Sequence, residues 1–200
     1  MHARTKDEWR QLVLSGRRAL TPELRTAEDR ALVALVTQGI ASGATVCAYV
    51  PTALEPGSVD LLDALRQVAG RVLVPVTREP GPLHWSEFTG ADGLTDASYG
   101  LREPTGPVWE PDEIRSAGTI FVPALAVDRR GVRLGRGAGF YDRTLGLAAS
   151  DARLITVVRD EELVSELPED PHDVRMGWAL TPGSGLVPLG DRRRRVSGPE

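Results

Sequence analysis

Lysine is almost missing from this chain. Of its 24 basic residues 23 are arginine, and the single lysine is Lys6. Cysteine is as scarce: Cys47 alone excludes an intrachain disulfide framework, and with only three scattered histidines it excludes a Cys-rich zinc site. Aromatic residues are 5% of the chain, so most of them are needed in the core. No apolar run approaches the ~20 residues of a membrane span. The N-terminal MHARTKDEWR has no apolar stretch of the secretory kind, so a cytoplasmic protein without a membrane partner is expected. A formal charge of -4 argues against sequence-independent nucleic-acid binding, which needs a clearly basic field. Two hundred residues suit one domain.

The first forty residues read as two helices. Thr5 and Glu8 have capping-box spacing, and Trp9, Leu12, Val13 and Leu20 form an apolar stripe. Thr21-Pro22-Glu23 is a second start signal, and that helix should fray near Gly39. The pattern then changes: residues 44–50 are a nearly continuous apolar run stopped by Pro51, as for a strand buried on both faces. Ser58 can cap a helix ended by Gly70, and residues 71–75 are the next strand, which makes a βαβ unit with parallel strands. Further strands are expected at 83–85, 119–123, 154–158 and 178–181, the last of them closing the fold. The expected class is α/β: a single domain over residues 1–190, a mostly parallel sheet flanked by helices, and two N-terminal helices. The Arg-rich segment 191–200, with Arg192 to Arg195, is expected to be a disordered tail.

The strongest local feature is the loop Gly131-Val132-Arg133-Leu134-Gly135-Arg136-Gly137-Ala138-Gly139-Phe140-Tyr141-Asp142. Glycines at alternate positions allow positive φ and close approach to a ligand. Free N–H groups at the start of a helix would cradle an anion, and Arg133 and Arg136 add bidentate phosphate donors. Asp142 supplies a carboxylate where Mg²⁺ bridging phosphates needs one. The GxxxxGK[ST] loop is excluded because no lysine follows position 6, and GxGxxG fails at Phe140. A tight strand–helix connection is the plainer alternative.

Lys6, Arg10 and Arg17 fall within roughly a 40° arc of the first helix, on the border of its apolar stripe. Spacing alone leaves open whether this arc faces a cleft or is a solvated surface offset by Asp7 and Glu8. Lys6 sits in the first turn, where the helix dipole disfavours a cation, so helix stability does not explain it. Glu55 follows the carboxyl end of a parallel strand, the usual ligand position in open α/β sheets; the alternative is an ordinary Glu-Pro turn. Glu103 reads more simply as such a turn. His172 is either a general acid or base or a surface residue, and Asp173 could pair with Asp142 only if the fold joins them.

Together these segments resemble the 5-formyltetrahydrofolate cyclo-ligase family. The resemblance rests on Lys6-x-x-x-Arg10-x-x-x-x-x-x-Arg17, the strand ending at Glu55, Gly100-Leu101-Arg102-Glu103-Pro104, and residues 122–128 leading into RLGRGAGFYDR. It continues to Pro171-His172-Asp173 and Thr181. It implies an enzyme, a ligase forming a carbon–nitrogen bond, that uses ATP and Mg²⁺ to cyclise 5-formyltetrahydrofolate to 5,10-methenyltetrahydrofolate with release of ADP and phosphate. Lys6, Arg10 and Arg136 would be catalytic. ATP would lie against Lys6, Arg10 and Arg133, Leu134, Gly135, Arg136, Gly137, Ala138, Gly139, Phe140 and Tyr141. The folate would meet Arg10, Glu55 and Arg136 to Phe140, and Asp142 and Asp173 would hold the metal. A monomer or weak homodimer is expected. Ala138, Phe140 and Gly57 depart from the family pattern, costing a lysine, a phenol and a carboxylate. Two other readings use the same anion-binding loop: a sugar-phosphate isomerase or acyl-CoA transferase on a similar scaffold, and a non-catalytic folate- or nucleotide-binding module.

Overall fold

The computed structural model describes residues 4–78 and 81–190; the Arg-rich tail lies outside them. Thr5 caps the first helix, α1 (Lys6–Ala19), with the reciprocal Glu8 bond of a capping box, and Thr21 caps α2 (Pro22–Leu35). Ser58 holds the N-cap position of α3 (Val59–Val68), but its side chain makes no capping bond. A fourth, short helix is α4 (Phe140–Leu145).

The strands in chain order are β1 (Thr45–Cys47), β2 (Arg71–Val76), β3 (His84–Glu87), β4 (Leu94–Asp96), β5 (Arg102–Pro104), β6 (Val108–Trp109) and β7 (Thr119–Pro123). They continue with β8 (Ala126–Asp128), β9 (Arg133–Leu134), β10 (Arg153–Val157), β11 (Leu163–Val164), β12 (Trp178–Thr181) and β13 (Gly185–Pro188). Eight of them form one sheet in the order β13-β12-β10-β7-β1-β2-β3-β6. Its centre, β12 to β2, is parallel, and the antiparallel neighbours β13, β3 and β6 close the two sides. The α/β class expected from the sequence is therefore correct. The 178–181 strand is not the last, because β13 returns against it after a turn containing Pro182 and Gly183.

Alternate residues of the central strands point to opposite layers. Val46, Val72, Val74 and Ile155 pack with Leu32 of α2 and Leu61, Leu62 and Leu65 of α3. Cys47, Leu73, Ile120 and Val122 pack with Trp85, Ile114 and Leu145 on the other side. Both faces are covered, which explains the unbroken apolar runs. Leu12, read as part of an apolar stripe, is instead exposed, as is Leu24 of α2.

Helix α1 packs elsewhere. Its Val13 joins Leu125, Ala126, Val132, Leu134 and Leu167 on a three-stranded sheet, β11-β8-β9, so its N-terminal turns lie beside the glycine loop that leaves β9. No described helix is long and apolar enough to cross a membrane.

Candidate active site

The chain runs from β1 outward to β2, then resumes with β7, β10 and β12 on the other side of β1. Ligands of open α/β sheets bind outside the carboxyl ends of strands at such a reversal. A cavity of about 840 Å³ lies there. Its walls are Tyr49 and Val50 after β1, Pro75 and Thr77 at the end of β2, Pro123 and Ala124 after β7, and the loop 135–139 with the start of α4.

Gly139, with φ +72°, is the N-cap of α4, and Gly137 has φ +102°, so the glycines are required by the backbone turn itself. Residues 135–139 belong to no helix or strand, and none of their N–H groups donates to another described residue. The helix behind this loop has only six residues, so its dipole would add little to holding an anion there.

Three segments distant in sequence meet at this loop. From α1, Arg10 Nε donates to Gly135 O (3.1 Å), and its guanidinium would lie 3.6 Å from a Cβ at Gly137. Lys6 Nζ donates to Asp170 Oδ2 (2.7 Å) and Asp173 Oδ2 (2.8 Å). Partial burial pulls the Lys6 pKa down, but these two carboxylates outweigh it and hold the ammonium above its ordinary value. Burial likewise pushes Asp173 up, while the Asp170 N–H and Lys6 overcome it and keep the carboxylate ionised below the usual range. From the turn after β1, Glu55 Oε1 lies 3.5 Å from Arg136 Nε. Thr52 ties that pair together: its N–H and hydroxyl both donate to Glu55 Oε2, and its Oγ1 accepts from Arg136.

Arg133 and Arg17 require correction. Arg133 is not an open phosphate donor: it is buried, pairs with Asp142 Oδ1, and donates to Pro123 O (3.3 Å). Among the described residues its Nε has no hydrogen-bond partner, and neither does the buried Tyr141 hydroxyl at the same cavity. Burial, reinforced by the Glu55 charge, pushes the Tyr141 phenol far above its normal pKa, so it stays a neutral donor. Arg17 leaves the arc shared by Lys6 and Arg10. Only 1% exposed, it points inward and grips Glu162 through two bonds of 2.6 and 2.8 Å, while also donating to Ala124 O. A residue on the border of an apolar stripe can turn either way, and a buried carboxylate decided this one.

Asp142 lines the cavity beside Arg133, and Asp173 is held by Lys6. Arg133 pairs directly with Asp142 and its charge also lowers the pKa of Asp173. Among the described residues no cluster of three or more metal-ligating side chains occurs. Mg²⁺ asks for only one or two carboxylates plus phosphate oxygens and water. The donor set fits that ion, with Arg133 and Lys6 now serving as the carboxylates' counter-charges. His172 is exposed and does not line the cavity. Glu103 does line it, though its Oε1 accepts from Thr77 N–H (2.7 Å), so its turn role and its wall role coexist. Sequence reasoning missed Thr52, Thr77 and Asp170. For Thr52 a signal existed: a hydroxyl three residues before Glu55 in a turn.

Residues 2–182 match the family model described as "5-formyltetrahydrofolate cyclo-ligase family". A 5-formyltetrahydrofolate cyclo-ligase of Mycolicibacterium smegmatis is 50% identical over 195 residues, covering 94% of this chain and all of that one. The enzyme of the same name from Escherichia coli is 26% identical over 176 residues, 86% of this chain and 97% of its own. In fold, the chain is similar to the NMR structure of Aquifex aeolicus 5,10-methenyltetrahydrofolate synthetase. The TM-score is 0.79 at 24% identity, covering 98% of this chain and 96% of that one.

Proposed function

The chain belongs to the 5-formyltetrahydrofolate cyclo-ligase family, and on that premise we propose that it cyclises 5-formyltetrahydrofolate to 5,10-methenyltetrahydrofolate at the expense of ATP. One observation carries the reading most: α1 delivers Lys6 and Arg10 to the glycine loop and to the Asp170–Asp173 turn, more than a hundred residues away in sequence.

A formamide carbonyl is too weak an electrophile to close the ring unaided. Its oxygen attacks the γ-phosphorus of ATP, the bond to ADP breaks, and an iminium phosphate forms. N10 then adds to the formyl carbon and loses its proton. Phosphate departs with the former formyl oxygen, leaving the methenyl bridge. Negative charge shifts toward the β–γ bridge as the phosphoryl group moves, so cations fixed around it supply most of the rate.

The loop N–H groups of 135–139 would hold the triphosphate, with Lys6, Arg10 and Arg136 about the γ-phosphoryl. Asp142 and Asp173 would hold Mg²⁺, which when bound neutralises phosphate oxygens. Lys6, a flexible ammonium beside Asp173, would follow the phosphoryl group. Glu55, fixed by Thr52 and Arg136, would accept from the N–H edge of the pterin, and Tyr141 would donate to the substrate. Phe140 and the apolar wall exclude water that would otherwise hydrolyse the activated intermediate. A cytoplasmic location and a monomer or weak dimer belong to the same proposal.

The test is the near-ultraviolet absorbance of the methenyl product when protein, 5-formyltetrahydrofolate, ATP and Mg²⁺ are mixed. The signal should need all four. Folded protein that binds the folate but forms no product would overturn the reading.

A further inference from the structure

Asp128 touches neither the cavity nor any group assigned above, yet its carboxylate is wholly buried, with 0% exposure. It sits at the end of β8, in the turn just before the strand that feeds the glycine loop. Oδ1 accepts from the N–H groups of Arg130 and Val132, both at 2.9 Å. Oδ2 accepts from Arg130 Nε (2.9 Å) and from Leu167 N–H (3.0 Å). Four donors fill the accepting capacity of an ionised carboxylate.

Leu167 opens the segment that carries Asp170 and Asp173, and its carbonyl is held as well, accepting from Arg130 Nη2 (2.7 Å). The far end of the segment is tied to the same turn, where Met176 N–H donates to Gly131 O (2.8 Å). Gly131 is required there: its φ is +93°, and a Cβ would come within 2.3 Å of Met176 O. Between these anchors, residues 168–175 form no helix or strand. The end anchors, the Lys6 bonds and the packing of Val174 place this segment.

We infer that Asp128, with Gly131, is a positioning residue that sets Asp173 for the metal role proposed for it with Asp142, by fastening both ends of the Asp173 segment to the turn that launches the glycine loop. The inference rests on the metal–ATP role proposed for that carboxylate pair. Asp128→Asn keeps the shape but presents an amide N–H₂ to a backbone N–H, releasing one anchor. Gly131→Ala pushes the other anchor away.

Binding of Mn²⁺ in the presence of a non-hydrolysable ATP analogue, followed by the electron paramagnetic resonance of the free ion, reads the pair without turnover. Folding is checked by circular dichroism, and 5-formyltetrahydrofolate affinity is measured without nucleotide. Both variants should lose about 10–100-fold in Mn²⁺ affinity, the usual effect of losing an orienting partner. Their folate affinity should stay within about twofold of the parent. Folded variants with unchanged Mn²⁺ affinity overturn the inference, as does an equal loss of both affinities, which would report general disorder. If Asp128→Asn does not fold, Gly131→Ala decides. If neither folds at low temperature, the turn serves the fold itself and the inference is wrong. Asp142→Asn and Asp173→Asn separate the two claims. If they leave Mn²⁺ binding intact, the metal role fails; if they weaken it while the turn variants do not, only the positioning role fails.

Discussion

Replacing Arg17 by methionine separates two members of one basic arc. The guanidinium is buried, makes a bidentate pair with the equally buried Glu162, and satisfies the Ala124 carbonyl. Methionine fills the aliphatic volume but leaves Glu162 short of its main counter-charge. Breaking a buried pair from one side costs about 3–5 kcal/mol. Arg159 remains 3.8 Å from Glu162 Oε1 and still donates its N–H to Oε2, which places the loss at the lower end, about 3 kcal/mol. For a chain of this size the melting temperature should fall by about 6–12 °C. Urea titration should show a lower midpoint with an unchanged slope. Turnover per folded molecule should stay within about threefold, because Arg17 does not face the cavity. A variant as stable as the parent but a hundredfold slower would refute the burial argument and return Arg17 to the phosphate site.

Lys6→Ala should show the opposite split. Its ion pairs are partly exposed, with the Asp170 side chain 59% accessible, so stability should change by about 1 kcal/mol or less. Turnover should fall about 100-fold or more, the scale of a lost transition-state charge contact, while Lys6→Arg should retain nucleotide affinity and lose kcat, since a planar guanidinium follows a moving phosphoryl group poorly. Tyr141→Phe removes a buried hydroxyl without a partner among the described residues, so urea stability should hold or rise by up to about 1 kcal/mol while the KM for the folate increases. Asp160 accepts from Thr181, Gly183 and Ser184; burial alone would raise its pKa, and these bonds bring it below the ordinary value. A depressed carboxylate stabilises above its unfolded pKa and loses that contribution as pH falls through its folded one. The stability gap between the parent and Asp160→Asn should thus be full at neutral pH and close below about pH 4.

Where residues interact with near neighbours, the sequence was enough. The Thr5–Glu8 capping box, the Thr21-Pro22 start and the glycine turn into α4 are local chemistry, and each stands where spacing placed it. The parallel β1–β2 pair followed from strand, helix and strand in short order. The two- and three-residue ribbons β4–β5 and β8–β9–β11 were not foreseen, because pairing partners rather than propensity create strands that short. Strand β13 had a readable signal in Pro182, Gly183 and Gly185, a turn rich enough to announce a hairpin. In the site, the residue types were legible and their directions were not. Arg133 and Arg136 look alike in sequence, yet one is buried against Asp142 and the other reaches Glu55. That choice depends on carboxylates supplied by other parts of the chain.

In the proposed reaction the formyl oxygen is phosphorylated in a site shared by ATP and folate. The direct measurement is a single turnover with 5-formyltetrahydrofolate carrying oxygen-18 in its formyl group, followed by mass analysis of the released phosphate. One labelled oxygen is expected in each phosphate formed, in step with methenyl absorbance. Methenyl product accompanied by unlabelled phosphate would contradict it.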